Sequence, residues 1–324
     1  MSSNVTNPSA ARAGTEAPRA NGARLPITVI ILTLNEQIHI ERCLSRIMPL
    51  VERVVVVDSF STDRTVEIAR SMGVEVLQHK WKNYSNQFQW GIDNAAPTTE
   101  WVMRLDADEY LEEPLIAELQ ETLPALGPEI TGVNLRLKVI FRNQWIRHGG
   151  YYPTLLLRIW RNGVGRIEQR WMDEHIVLSH GDSITTRGNF VDQNLMDITW
   201  WTDKHNKYAT RQMVDFINLE YNLFPIDHAI MATRSRQARF KRFLRNKVFG
   251  SAPLYLRGLM YFFQRYFLRL GFLDGRQGFV FHFLQGLWNW ILIDAKIDEA
   301  RMYIRAHGVE AFKEHLRDRF GMEL

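Results

Sequence analysis

The first apolar run of the chain, "ITVIILTLN" from Ile27, is β-branched and unbroken, the pattern of a strand buried on both faces of a parallel sheet. A helical stretch follows over Gln37 to Met48, and then "RVVVVDSFSTDRTVEIARSMG" reads as a second buried strand ending at Asp58, a turn, and a helix. Ser61, Thr62 and Asp63 mark the start of that helix and Gly73 its end. "VEVLQHK" gives a third strand, Tyr84 to Asn94 a helix, and "EWVMRL" a fourth strand. Residues 26–110 therefore alternate β-α-β-α-β-α-β, which predicts an open, doubly wound sheet.

From Ile130 the texture changes to shorter alternating stretches, "GVNLRLKVIF", "TLLLRIW" and "HIVLSH", which read as antiparallel or mixed strands extending the sheet. Beyond Asp197 the chain turns helical: "TWWTDKHNKYATRQMVDFINLEY" reads as one helix, followed by a basic segment from Arg234 to Lys247 and an aromatic-rich helical region from Pro253 to Tyr303. The expected organisation is a tail over 1–24, an α/β unit over 25–198 and a helical C-terminal region over 199–324. Residues 1–24 are small, polar and proline-punctuated, without a signal-peptide core, so a disordered tail and a cytoplasmic chain are expected.

Composition narrows the chemistry. With 324 residues, 46% of them hydrophobic, a large core is available. The single cysteine, Cys43, excludes an intramolecular disulfide and a cysteine zinc cluster. No G-x-G-x-x-G opens the first βα turn and no G-x-x-x-x-G-K-[ST] occurs, so neither a dinucleotide fingerprint nor a P-loop holds a phosphate here.

In doubly wound sheets ligands bind beyond the carboxyl ends of the strands, where the polar clusters of this chain fall: Thr33, Asn35 and Glu36 after the first strand, Asp58 after the second, Asp106 and Asp108 after the fourth. Two carboxylates in D-x-D spacing repel unless a cation lies between them, and hard oxygen ligands select Mg²⁺ or Mn²⁺. Because Mg²⁺ is commonly held by one or two carboxylates plus substrate phosphates, the motif points to a metal-diphosphate ligand. The alternative is a solvated helix start, with Glu112 and Glu113 favouring the dipole. Thr33, Asn35 and Glu36 have a bland alternative too, as caps of the next helix.

The set "TLNE", "VVVDSFSTDRT" and "RLDADEY" resembles the family 2 glycosyltransferases with a GT-A fold, across residues 26–112. "KNYSNQFQWGIDN", "RHGGYYP", "WMDEH" and "YFLRLGFLDGRQGFVFHFLQG" are similar to the subgroup that includes bacterial lipopolysaccharide-core β-1,4-glucosyltransferases. The chain departs from the family at Ser59 and Phe60, where Asp-Gly is usual. The resemblance implies a Rossmann-like, mixed but mainly parallel sheet between helices. It also implies that Thr33, Asn35, Glu36 and Asp58 line the nucleotide pocket, Asp58 accepting from uracil or ribose. Asp106 would face the ribose and diphosphate and share a Mg²⁺ or Mn²⁺ with Asp108.

Inverting transfer of one hexose from a UDP-sugar needs a carboxylate to take the acceptor proton. "RIEQRWMDEHIVL" offers Glu168, Asp173 and Glu174 in an apolar, aromatic setting, with Glu174 preferred, then Asp173, and His175 as an orienting partner. On the following helix Lys204, His205, Lys207 and Tyr208 suit a lid gripping a diphosphate, or else form an ordinary solvated basic face. Gly149 and Gly150 mark a turn, with His148 near the acceptor.

Arginines interleaved with aromatic residues in the C-terminal region suit an anionic membrane surface, with a lipid-linked glycan acceptor met at the inner face of the cytoplasmic membrane. No RNP, KH or helix-turn-helix signature supports nucleic-acid binding. Two other readings compete: a nucleotidyltransferase acting on a sugar phosphate, and a non-catalytic, membrane-associated sugar-nucleotide-binding protein.

Overall fold

The computed structural model describes residues 24–169, 171–172, 174–225 and 253–322. The tail expected at 1–24 (apart from Arg24), the basic segment from Arg234 to Lys247, and Asp173 lie outside the described residues.

The alternating N-terminal half folds as its pattern predicts. Strands β1 (Leu25–Thr33), β2 (Val51–Asp58), β3 (Glu75–Gln78) and β4 (Trp101–Asp106) are linked through helices α1 (Ile40–Ile47), α2 (Thr65–Ser71) and α3 (Tyr84–Ala95). All three pairings, β3 with β2, β2 with β1 and β1 with β4, are parallel. The continuous apolar runs are explained by two covered faces. Val29, Ile31, Val54, Val56 and Met103 pack against Cys43 and Leu44 of α1, while Ile30, Val55, Val57 and Val102, one residue out of phase, pack with Phe88 of α3 and Trp160.

The chain then reverses into a short strand, β5 (Glu109–Leu111), and enters α4 (Glu113–Thr122). The sheet continues through β6 (Ile130–Phe141), β7 (Gln144–Trp145), β8 (Thr154–Arg161) and β11 (Asp182–Asp192), while β9 (Gly165–Ile167) and β10 (Ile176–Leu178) form a separate hairpin. The order is β3-β2-β1-β4-β8-β6-β11-β5, with β7 on β6. Strand β8 runs antiparallel to β4 and β6, whereas β11 runs parallel to β6. This is the mixed, mainly parallel GT-A architecture.

A second core lies in the helical C-terminal region. Helix α5 (Ile198–Tyr221) turns Ala209, Met213, Val214 and Ile217 toward Trp290, Ile293, Ile297 and Ala300 of α8 (Asn289–His307) and Phe312 of α9 (Val309–Phe320). Both series keep the three- and four-residue spacing of a single helical stripe. Between them, α6 (Leu256–Phe263) and α7 (Gly275–His282) form a hairpin through a π-helical turn and a 3₁₀ turn over Gly271–Asp274.

That hairpin is clasped to the sheet by the β7–β8 loop. His148 meets Asp274 through both its backbone N–H (2.9 Å) and Nδ1 (2.7 Å), and Gly149 N–H donates to Arg269 O at 2.8 Å. Gly149 and Gly150 make the expected turn, with φ of +71° and +72°. A Cβ on Gly149 would come within 2.1 Å of His282 Cε1, so only glycine lets the loop lie on that ring. His148 thus belongs to this seam between sheet and hairpin.

Candidate active site

The carboxyl ends of β1 and β2 are knitted together by the residues that follow them. Asp58 is fully buried, and its carboxylate accepts from Thr33 Oγ1 (2.9 Å), from the backbone N–H (2.9 Å) and hydroxyl of Ser61, and from Gln78 Nε2 (3.2 Å). Asn35 accepts Thr62 N–H at 2.8 Å, and Glu36 N–H donates to Thr65 Oγ1 at 2.7 Å. These side chains do not cap α1, whose first residue follows His39 without any side-chain cap bond. They set the shape of a two-loop rim instead.

Phe60 stands on that rim with φ of +60° and 55% of its surface exposed. A left-handed backbone explains why glycine is usual here, since a Cβ in this region costs about 1–2 kcal/mol. Phe60→Gly is expected to raise unfolding free energy by about 1 kcal/mol in urea titration, because strain is relieved and little buried surface is lost.

The D-x-D closes the opposite side. Asp106 ends β4 and accepts Tyr84 Oη–H at 2.6 Å, with Arg104 and Arg158 each 3.7 Å away. Burial works to raise its pKa, but the two guanidinium groups and the Tyr84 bond outweigh it and hold Asp106 down at about 2. Glu109 lies beneath as a support. One of its oxygens accepts Asp106 N–H at 2.9 Å and the other Arg158 Nη2 at 2.6 Å. Burial raises the Glu109 pKa well above the carboxylate range, and Arg158 opposes that rise.

Asp108, on the turn between β4 and β5, is half-buried and accepts from Asn194 Nδ2 at 2.9 Å. Helix α1 fixes the segment that carries Asn194. Arg42 donates to Gln193 O (2.7 Å) and Asp108 O (3.0 Å), and Leu195 N–H donates to His39 Nε2 at 2.9 Å. His39 Nδ1 therefore carries the proton and donates to Glu36 at 2.6 Å. Asp192, the last residue of β11, belongs to the same cluster; burial and the neighbouring Asp108 push its pKa up to about 7.

Helix α5 divides the expected basic group. Burial disfavours the Lys204 charge, yet Tyr208, Asp108, Glu36 and Asp192 together raise its pKa, so its ammonium lies within electrostatic reach of the acidic cluster. His205 turns elsewhere: its ring stacks on Trp201 at 3.4 Å between centroids and Nδ1 lies 2.8 Å from Trp201 O. Burial lowers its pKa to about 4, so it carries no charge for a phosphate near neutrality. Lys207 is exposed. Arg211, further along, sits 5.4 Å from the Trp81 ring, so α5 reaches the loop after β3.

In the β9–β10 loop, Glu168 is fully buried and lies 3.7 Å from His175 Nδ1, while its backbone N–H donates to His175 O at 2.8 Å. The structure therefore pairs His175 with Glu168. The charge of Glu174 acts on Arg104, the same guanidinium that faces Asp106.

Arg104, Arg158, Tyr84, Asp192 and Asn194 were not singled out from the sequence. The two arginines had a signal, as lone charges inside the apolar runs "VMRL" and "LLLRIW". Asp192 had the signal that found Asp58, a carboxylate closing a buried strand.

Chemically, the pocket suits a hard cation shared with a ligand. Among the described residues no group of three or more His, Cys, Asp or Glu side chains is placed as a closed metal cage. Asp108, half-buried and steadied by Asn194, with Asp106 beside it, fits the sparse carboxylate set that Mg²⁺ or Mn²⁺ uses when phosphates complete its shell.

The chain is 27% identical over 198 residues to the lipopolysaccharide core biosynthesis glycosyltransferase LpsC of Rhizobium meliloti, covering 58% of this chain and 70% of that protein. It is 31% identical over 118 residues to an uncharacterized glycosyltransferase of Rickettsia bellii, covering 36% of this chain and only 40% of that relative's length. Glucosyl-3-phosphoglycerate synthase from Mycobacterium tuberculosis, solved with Mn²⁺, UDP and glucosyl-3-phosphoglycerate, is similar at 25% identity and a TM-score of 0.30, covering 36% of this chain and 44% of that one. The model of the family described as "Glycosyl transferase family 2" matches residues 28–192, from β1 to the last residue of β11, and the chain belongs to that family.

Proposed function

We propose that this family 2 glycosyltransferase moves a single hexose from a UDP-sugar, with inversion, to a lipopolysaccharide-core or other lipid-linked glycan. The observation that carries the reading is the placement of Asp106 at the end of β4 and Asp108 on the turn after it, beside the buried Asp58 that closes β2, with Lys204 of α5 within electrostatic reach of both aspartates of the turn. The similarity to LpsC supports the acceptor class.

In this reading the rim formed by Thr33, Asn35, Glu36 and Asp58 receives the nucleoside, and Lys204 faces the diphosphate. Asp106 and Asp108 would hold Mg²⁺ or Mn²⁺, which when bound would supply positive charge for the leaving diphosphate. The acceptor hydroxyl oxygen bonds to the anomeric carbon as the bond from that carbon to the UDP oxygen breaks. The hydroxyl proton passes to a carboxylate on the opposite face, Glu174 in first place and Asp173 in second. UDP leaves with the bonding electron pair, and the anomeric configuration inverts. His205, neutral and stacked on Trp201, supports α5 without taking charge in the transfer. The acceptor class implies work at the inner face of the cytoplasmic membrane, met through the C-terminal region.

A screen of nucleotide sugars with Mn²⁺ tests the reading, with UDP as the expected product. Pyrophosphate release from a nucleoside triphosphate and a sugar phosphate would replace it by nucleotidyl transfer. Failure of the folded protein to bind any UDP-sugar would remove the catalytic reading altogether.

A further inference from the structure

The α6–α7 hairpin ends in a tip built against the usual rule for turns. Exposed reversals are normally polar or glycine-rich. Here Phe267, Leu268, Leu270, Phe272 and Leu273 are large apolar residues around the bend, interrupted only by Arg269 and Gly271, and each is at least 44% exposed, with Leu268 at 68%. Leu270 makes the bend with φ of +59°, a backbone that branched side chains seldom adopt. The apolar surface continues down both arms through Met260, Phe263, Phe279 and Phe283. This exceeds the scattered apolar exposure of an ordinary surface.

The charge on the hairpin is one-sided. Between Pro253 and Phe283 the sequence has one carboxylate, Asp274, which is buried and bound by His148. The exposed charges there are Arg269 and Arg276. A symmetric contact with a second copy would set these arginines facing like charge with no carboxylate of the hairpin to answer them. Anionic headgroups answer them directly, and acyl chains answer the tip. Among the described residues no helix is long and apolar enough to cross a membrane, so the geometry is that of an element entering one leaflet.

We propose that the tip from Phe267 to Leu273 inserts into the headgroup and upper acyl layer of an anionic bilayer, with Arg269 and Arg276 on lipid phosphates. This deepens the reading of a lipid-linked acceptor and rests on it for its purpose, though not for its physics. The clasp from His148 and Gly149 ties the hairpin to the β7–β8 loop, so insertion also fixes how the sheet faces the membrane.

Co-sedimentation of the full chain with vesicles of phosphatidylcholine, alone or mixed with phosphatidylglycerol, tests the proposal. The wild type is expected to pellet with the anionic vesicles and to stay partly bound in high salt, since salt screens the arginines and not the apolar tip. Leu268→Glu and Phe272→Glu should each weaken partitioning about tenfold or more, with unchanged circular dichroism and unchanged affinity for UDP. Asp108→Asn should pellet like the wild type, so a failed donor reading and a failed membrane reading remain distinguishable. Wild-type protein left in the supernatant with both vesicles would overturn the proposal. So would undiminished binding by both tip variants, or a dimer in sedimentation velocity that Leu268→Glu dissociates while vesicles go unbound.

Discussion

Asp108→Asn is expected to lower UDP release by about 10²- to 10³-fold, the scale seen when one preorganised electrostatic contact to a developing charge is lost. The substitution keeps the shape of the side chain. It also keeps an oxygen for Asn194 Nδ2, which lies 2.9 Å from the native carboxylate. Asp108 is half-buried and on a turn, so the unfolding free energy should change by less than about 0.5 kcal/mol. Activity lost with stability retained is the signature of a ligand-holding carboxylate; wild-type turnover in this variant would remove Asp108 from the chemistry. Glu174→Gln provides the contrast: transfer falls while Mn²⁺-dependent UDP binding is kept.

Arg158→Met should act on the fold first. Its guanidinium is almost fully buried, 2.6 Å from Glu109 and 3.7 Å from Asp106. Without it Glu109, already raised in pKa by burial, must take up a proton or hold an unpaired charge in the core. Breaking one side of such a pair costs about 3–5 kcal/mol. Stability by urea titration should fall accordingly, and the pKa of Asp106 should rise as one of its two guanidinium neighbours disappears. In Arg158→Met/Glu109→Gln the amide oxygen still accepts Asp106 N–H, so the double variant should lose less than the sum of the singles. Strict additivity would show that the pair contributes nothing as a pair.

Much of this site is legible in the chain because parallel strands announce themselves twice, through unbroken β-branched runs and through polar residues at their carboxyl ends. Thr33, Asp58, Asp106 and Asp108 follow from that rule; β1, β2 and β4 bring the first three together at their carboxyl ends, with Asp108 on the turn just beyond. What sequence reasoning missed depends on partners far along the chain. Arg158 enters the pocket because β8 runs antiparallel beside β4, a pairing that no local periodicity encodes. Asp192 arrives because β11 crosses back to pair with β5 at Glu109. Lys204 and His205 separate for a helical reason: adjacent residues point about 100° apart, so the Lys204 charge acts with the carboxylates while the His205 ring stacks on Trp201. The apolar tip at Leu268 to Leu273 lies in the region whose sequence suits a membrane surface, but which of its apolar residues are exposed is visible only in the folded chain.

The carboxylates at the end of β4 are expected to hold a cation that in turn holds a nucleoside diphosphate. Calorimetric titration of UDP into the folded protein, with and without Mn²⁺, tests it most directly. Mn²⁺ should tighten UDP binding to the wild type and leave Asp108→Asn unaffected. Equal wild-type affinity in the presence and absence of Mn²⁺, or equal tightening in the variant, would contradict it.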